Sequence, residues 1–192
     1  YQLSLDALRS ELRENLIRTA KTAAVVIDAE AHRQFNARGQ ESSAAYQKAI
    51  QPLEQIRLAA GDIKFIYTCV LVSNRVHFIL DPTPAGDADR DGTDDKSHIM
   101  QAYDDPSPEL VKVLRDGKAG ADAQPYTDKW GTFISGYAPF FDSTGKAAGV
   151  VGVDLDAASY VQRLSSMRTA AWTGTGVALA LSLLAAIGFY RL

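Results

Sequence analysis

Cysteine is almost absent from this chain of 192 residues, since Cys69 is the only one. An internal disulfide is therefore excluded, and the aromatic and β-branched neighbours of Cys69 indicate a small buried residue. Histidine is scarce as well, and His32, His77 and His98 do not have the spacing of a zinc-binding helix. No nucleophile, base and acid are recognisable as a set, so we expect the chain not to be an enzyme.

An excess of positive charge is also missing. The net charge is −3, with 22% charged and 46% hydrophobic residues. These values are ordinary for a globular protein and give no reason to expect a nucleic-acid partner. The length is sufficient for one domain of ordinary size with some additional helix.

Charged residues are absent from one long stretch, Ala170–Tyr190. As a helix this stretch would be about 30 Å long, the thickness of a bilayer core. Trp172 and Tyr190 lie at its two ends, where interfacial aromatic residues are common. We therefore predict a transmembrane helix over about 170–190, with the lipid bilayer as a partner. The alternative is a buried core helix. Because the chain begins with Tyr1 and ends just after Arg191, we expect further sequence on both sides.

Glycine and proline are absent from residues 3–38. Apolar residues recur there at steps of three and four, from Leu5 to Phe35, which predicts one long amphipathic helix ending near Gly39. Such a helix is too long to be covered by one small sheet. Part of it should pack on another helix, so we expect a homodimer.

The middle of the chain alternates between helix and strand signals. Ser42 or Ser43 can begin a short helix through Ile50, and Pro52 can begin another through about Ala60. A further helix is predicted from Ser107 to Gly117. The predicted strands are Ile63–Val72 and Arg75–Asp81, which form a hairpin, and then Ala123–Asp128, Thr132–Asp142 and Ala148–Asp154.

This order predicts an α+β fold, a five-stranded, mainly antiparallel sheet with helices packed on it. Asp156 can cap a last helix, which we expect to continue into the membrane span. We divide the chain into an N-terminal helical region (1–60), a core that contains the sheet (61–156) and a last helix that continues into the membrane (157–192).

The loop that follows the predicted hairpin is strongly acidic. It could supply oxygen ligands to calcium from Asp87, Asp89, Asp91 and Asp95. Gly92 allows the turn that such a loop needs. His98 stands at the twelfth position, where the helix–loop–helix calcium motif has glutamate, so this is not an EF-hand. The alternative is a solvated loop in which the aspartates make local turns.

A second group of residues has the composition of a ligand pocket. Aromatic and polar residues of the later strands, with one tyrosine from an earlier strand, could form it: Tyr67, Tyr126, Trp130, Phe133, Ser135, Tyr137 and Asp154. Pockets are mostly apolar with a few placed polar groups, and tyrosine and tryptophan supply both. Regular alternation would put Phe133, Ser135 and Tyr137 on one face of their strand. The alternative is that these aromatic residues belong to the core.

Four segments together resemble the Cache sensor domains, which are PAS-like domains of bacterial histidine kinases, chemoreceptors and nucleotide cyclases: Phe65–Thr68, Phe78–Asp81, Tyr126–Pro139 and Gly149–Asp154. The resemblance covers about residues 1–170 and fits a single sheet. It implies a PAS-like fold between two membrane helices, a dimerising N-terminal helix and small-molecule binding on the concave sheet face. The arginine and aspartate pattern of amino-acid-binding members is not evident, so the ligand class stays open.

The sequence thus predicts the ligand-sensing module of a bacterial transmembrane receptor. The module would lie on the periplasmic side of the inner membrane. Ligand binding would move the last strand, and the strand would move the membrane helix. The alternative is a membrane-tethered calcium-binding or adhesion module without signalling output.

Overall fold

The computed structural model describes residues 2–88, 90, 92–162 and 164–166. The described helices are α1 Gln2–Val25, α2 Ala29–His32, α3 Ala44–Ala60 and α4 Pro108–Asp116, with a 3₁₀ helix at Arg38–Ser42. The described strands are β1 Phe65–Val72, β2 Arg75–Phe78, β3 Ala102–Tyr103, β4 Gly120–Ala121, β5 Tyr126–Asp128, β6 Gly131–Phe141 and β7 Ala147–Asp156.

All seven described strands belong to one antiparallel sheet in the order β3-β2-β1-β7-β6-β4, with β5 also paired to β6. The α+β class and the antiparallel sheet are confirmed. The prediction of five strands was wrong, because β3 and β4 have two residues each and are too short to show alternation. The last strand in sequence, β7, is central and pairs with β1 and β6.

The β1–β2 hairpin forms where the sequence predicted it. Its turn residues Ser73 and Asn74 have φ angles of 48° and 64°. Two consecutive residues with positive φ form the turn whose twist matches that of the paired strands. The register therefore brings Cys69 opposite Phe78 and Val72 opposite Arg75.

Helix α1 packs on one face of the sheet. Its side of the contact consists of small and branched apolar residues, all nearly inaccessible to solvent: Leu12, Leu16, Ala20 and Ala23. The approach is closest at Gly136 of β6, where an added Cβ would lie 2.6 Å from the backbone carbonyl carbon of Leu16. Only glycine allows this distance, so α1 lies directly on the backbone of β6.

The prediction of one helix reaching Gly39 was wrong. Helix α1 ends at Val25, and a short helix begins at Ala29. Asp28 caps this second helix, since its side chain accepts hydrogen bonds from the backbone N–H groups of Glu30 and Ala31. An aspartate that bonds to the backbone ahead of it competes with continued helix, and apolar periodicity alone does not reveal this.

The predicted break at Pro52 is also absent. Helix α3 runs through Pro52, and Ser43 caps it by accepting a hydrogen bond from the N–H of Tyr46. Proline removes one intrahelical hydrogen bond, but the neighbouring Leu53 is fully buried. Packing therefore keeps the helix continuous.

The chain leaves the sheet through a capped helix. The side chain of Asp156 accepts 3.0 Å hydrogen bonds from the N–H groups of Ala158 and Ser159, which confirms the predicted cap. Residues 157–162 and 164–166 are helical. The predicted span Ala170–Tyr190 lies outside the described residues. Within the part that is described, no helix is both long and apolar enough to cross a membrane.

Candidate functional site

The face of the sheet that is turned away from α1 carries the candidate site. Two rows of directly paired residues cross β1, β7 and β6 there: Phe65–Asp154–Ser135 and Tyr67–Gly152–Tyr137. Side chains of directly paired residues point to the same face of a sheet. The structure thus confirms the alternation in β6 that puts Phe133, Ser135 and Tyr137 on one face.

A small pocket lies over these rows, with a cavity volume of about 20 Å³. This is room for a single water molecule. Six aromatic residues, four aspartates and one serine line it: Phe65, Tyr67, Phe78, Tyr103, Trp130, Phe133, Asp81, Asp95, Asp128, Asp154 and Ser97. A larger guest must therefore displace some of these side chains.

The aromatic rings form a connected wall. The rings of Phe78 and Tyr103 stack with centroids 4.7 Å apart, and the Trp130 ring meets both edge-on at 5.3 Å and 5.7 Å. The ring of Tyr67 contacts that of Phe78 at 5.3 Å. Such offset and edge contacts are favourable, so the wall holds its shape when the pocket is empty.

Asp154 is the central carboxylate of the pocket. Its Oδ1 accepts a 3.2 Å hydrogen bond from the Tyr67 hydroxyl, and the side chain of Ser135 also bonds to it. Burial is the main cause that raises the pKa of Asp154 to about 8, and the nearby carboxylates of Asp128 and Asp122 raise it further. Burial therefore favours the protonated form of Asp154 at neutral pH.

Asp128 joins the aromatic wall to strand β5. Its side chain accepts hydrogen bonds from the hydroxyl of Tyr103 and, at 2.9 Å, from the N–H of Trp130. Burial raises the pKa of Asp128 above its usual range. The same carboxylate thus positions two of the rings that line the pocket.

Asp81 lies at the end of the pocket nearest the acidic loop. Its Oδ2 accepts hydrogen bonds from the N–H and the hydroxyl of Ser97, at 2.8 Å and 2.7 Å. Burial raises its pKa. The ammonium of Lys96 donates to the backbone carbonyl of Asp81 and, at 3.1 Å, to that of Thr83, so it ties the ends of the loop together.

A second polar cluster lies behind the pocket. The hydroxyl of Tyr137 lies 2.9 Å from that of Ser107, and it donates a 3.2 Å hydrogen bond to Asp122. The backbone N–H of Ser135 donates to the same carboxylate. Burial raises the pKa of Asp122 to about 6. This cluster connects the first turn of α4 to β6 beneath the pocket.

The acidic loop covers one side of the pocket. The indole N–H of Trp130 donates a 2.9 Å hydrogen bond to the carbonyl of Asp94, and Asp95 is itself a lining residue. Side-chain oxygens of the loop also accept backbone N–H groups: Asp87 from Gly92 at 2.9 Å, and Asp95 from Ala88 at 2.8 Å. The described residues of the loop thus form part of the pocket wall.

The calcium prediction is not tested by these contacts. Asp89 and Asp91 lie outside the described residues. Among those described, no group of three histidine, cysteine, aspartate or glutamate residues is arranged to hold a metal. The prediction for Asp87, Asp89, Asp91 and Asp95 stands beside its alternative of turn-forming aspartates. A calcium titration of the melting temperature would decide between them.

The structure brings four of the seven predicted ligand residues to the pocket: Tyr67, Trp130, Phe133 and Asp154. Ser135 bonds to the lining carboxylate of Asp154, and Tyr137 bonds to Asp122. Tyr126 of β5 pairs with Phe133 of β6 but does not line the pocket. Whether any of these residues contacts a ligand stays a prediction.

Sequence reasoning missed most of the remaining lining. Phe65 could have been found, because it precedes Tyr67 by two positions in the same strand and must share its face. Phe78 could have been found in the predicted hairpin partner. Tyr103 reaches the pocket from a two-residue strand, Asp128 from the end of β5 and Asp81 from the segment after β2. No local signal in the sequence predicts that these residues meet.

Solved structures show what this arrangement resembles. The sensor domain of E. coli DcuS matches with a TM-score of 0.55 and 20% identity, over 83% of this chain and 98% of that one. The ligand-binding domain of the Pseudomonas fluorescens chemoreceptor CtaA, in complex with L-alanine, matches with a TM-score of 0.51 and 18% identity. That match covers 86% of this chain and 60% of the CtaA domain, so the chain spans less than two thirds of it.

The chain has the fold of a Cache-type sensor domain. At this level of identity, the likeness concerns the fold alone. No family model matches the sequence. No curated protein matches it either. The fold resemblance inferred from the sequence is confirmed.

Proposed function

We propose that this chain is the ligand-sensing module of a bacterial transmembrane signalling receptor, with the sensor fold on the periplasmic side of the inner membrane. The observation that carries the proposal is the position of Asp154 on β7. Asp154 lines the pocket, and two residues later Asp156 caps the helical segment that leaves the sheet. In this proposal, the ligand-binding residue Asp154 and the helix cap Asp156, where the output segment begins, are therefore on the same strand.

The cavity is too small for a guest unless side chains move, which supports a coupled change. Trp130 and Tyr103 are the most exposed rings of the wall, at 8% and 9%. Opening the wall there would break the hydrogen bond from Trp130 to the loop. A ligand that favours the opened arrangement shifts the population toward it, to the extent that its affinities for the two arrangements differ.

Strand β7 is placed to transmit such a change. It is bonded on both sides, to β1 and to β6, so it moves with the sheet. Its alternate residues Val153 and Leu155 are fully buried in the core beneath α1. In the proposal, α1 is the fixed reference and the dimer contact, and the helical segment after β7 carries a small slide or rotation to the membrane helix.

Spin labels can test this transmission in the full chain. In a Cys69→Ala background, Arg18→Cys on α1 is paired with Val161→Cys on the helical segment. Both sites are exposed. A control pair joins Arg18→Cys to Lys48→Cys, an exposed site on α3 that does not belong to the sheet.

A screen of organic acids, amino acids, amines and divalent ions by melting temperature would supply the ligand. We expect that ligand to change the first spin-label distance by about 1–2 Å and to leave the control distance unchanged. Two unchanged distances at saturating ligand would contradict transmission through β7.

A further inference from the structure

The charge of the pocket is one-sided. Four of its lining residues are aspartates, and none of the described lining residues is lysine, arginine or histidine. Carboxylates that are buried close together raise one another's pKa, as Asp128 does for Asp154, and destabilise the fold. A guest with positive charge would relieve this cost, and a guest with negative charge would add to it.

Asp154 is the carboxylate best placed to receive a cation. Its partners Tyr67 and Ser135 are both neutral hydroxyls. None of the ion pairs among the described residues involves Asp154. A carboxylate has about four acceptor sites, so two hydroxyl donors leave acceptor capacity for a ligand.

The aromatic wall has the other property that a cation needs. Ring faces attract ammonium groups, and the attraction is stronger where water is excluded. Two lysines that do not line the pocket already place their ammonium groups over rings that do. The ammonium of Lys64 lies 5.1 Å from the centroid of Phe65, and that of Lys129 lies 4.2 Å from the centroid of Trp130.

We propose that the pocket binds a small organic cation, whose protonated or methylated nitrogen pairs with Asp154 and is enclosed by the rings of Tyr67, Phe78 and Trp130. This inference rests on the proposed function, since it names the ligand class of the same site. The small cavity limits the guest to a compact molecule. The described lining residues offer simple carboxylate and phosphate ligands no cationic partner.

Ligands of matched shape and different charge test the inference on the purified full chain. Binding and melting temperature are measured at pH 7.5 and constant ionic strength with methylammonium, n-butylammonium, 1,4-diaminobutane and tetramethylammonium. The comparison compounds are n-butyrate and n-butanol. We expect at least one cation to bind and to raise the melting temperature, and the acid and the alcohol to do neither.

Variants then locate the site. Asp154→Asn should weaken the best cation at least tenfold, and Trp130→Leu should weaken it as well. Asp116→Asn, at the exposed end of α4, is the matched control and should bind as the parent does. If Asp154→Asn fails to fold, Asp128→Asn takes its place, because Asp128 also lines the pocket and positions Tyr103 and Trp130; weaker cation binding is again expected.

Three results would overturn the inference: no cation binds, n-butyrate binds as well as n-butylammonium, or the aspartate variants retain parental affinity for the cation. If an anion or a neutral compound bound instead, and Trp130→Leu abolished that binding, the proposed cationic ligand would be wrong. The proposed sensor function would remain. The absence of binding by every compound of the broader screen would count against both.

Discussion

Tyr67 and Asp154 meet across the central strand pair, where the tyrosine hydroxyl donates a 3.2 Å hydrogen bond to Oδ1 of the carboxylate. Gly152, which is paired with Tyr67 in the sheet, makes this contact possible. A Cβ at position 152 would lie 2.5 Å from a carbon of the Tyr67 ring. The tyrosine lies flat over β7 only because a side chain is missing there.

Replacing that glycine should therefore disturb the pocket. Gly152→Ala places a methyl group against a fully packed ring, and we expect a loss of about 1–3 kcal/mol in the free energy of unfolding. Denaturant unfolding measures it. Gly39→Ala is the control, since a Cβ there meets nothing within 4 Å. Equal stability of the two variants would show that the Tyr67 ring has room to move.

The raised pKa of Asp154 predicts how stability depends on pH. The value is about 8 in the folded chain and 3.8 in the reference state, so the folded state binds the extra proton between these values. This contribution to stability is greatest at low pH and is lost as the pH rises from about 4 to about 8. Its full size is on the order of 5 kcal/mol.

Comparison with Asp154→Asn isolates that contribution. The buried His32, with its pKa lowered to about 4, acts in the opposite direction below pH 6.5, but it is common to both proteins. We expect the parent to lose stability relative to the variant as the pH rises from 4 to 8. Parallel unfolding curves across this range would show that Asp154 keeps an ordinary pKa.

Cation binding should depend on pH through the same group. Tetramethylammonium has a permanent charge, so only the protein titrates. Because the cation needs the carboxylate, its affinity should rise up to about tenfold per pH unit below pH 8 and level off above it. Calorimetry in two buffers of different ionisation enthalpy would show the released proton.

Other groups near Asp154 set the background for that experiment. Asp128 and Asp122 raise its pKa, while Tyr67 and Tyr137 have pKa values raised by burial and stay neutral in this range. Burial also raises the pKa of Asp122, to about 6. In Asp154→Asn, the rise toward pH 8 should disappear. A rise that persists there would assign it to one of these neighbours.

Variants of the helix cap Asp156 allow its effect on stability to be measured separately from its effect on signal transmission. Asp156→Ala removes an acceptor for the N–H groups of Ala158 and Ser159, which should cost about 1 kcal/mol and loosen the start of the helical segment. We expect ligand affinity to persist and the spin-label response between Arg18 and Val161 to shrink. Asp156→Asn keeps a capping oxygen and should respond as the parent does. An undiminished response in Asp156→Ala would rule out the cap as the coupling element.

Local chemistry explains which parts of the fold could be predicted. The Ser73–Asn74 turn, the alternation along β6, the helix predicted from Ser107 and the cap at Asp156 depend on neighbours within a few residues. The end of α1 was missed, because Asp28 stands within an apolar periodicity that continues beyond it. Contacts between residues that are far apart in the sequence could not be predicted from local patterns, which is why Asp81 and Asp128 were not expected in the pocket.

The contact between Gly136 and Leu16 leaves no gap between the first helix and the sheet. A pull or twist on that helix is therefore felt by β6 and, through its hydrogen bonds, by the neighbouring strand that carries Asp154. Coupling free energies are reciprocal. If ligand binding in the pocket can move α1, then a contact that holds α1 in place must change the ligand affinity of the pocket. The ligand sensitivity of a receptor would then depend in part on what its first helix packs against.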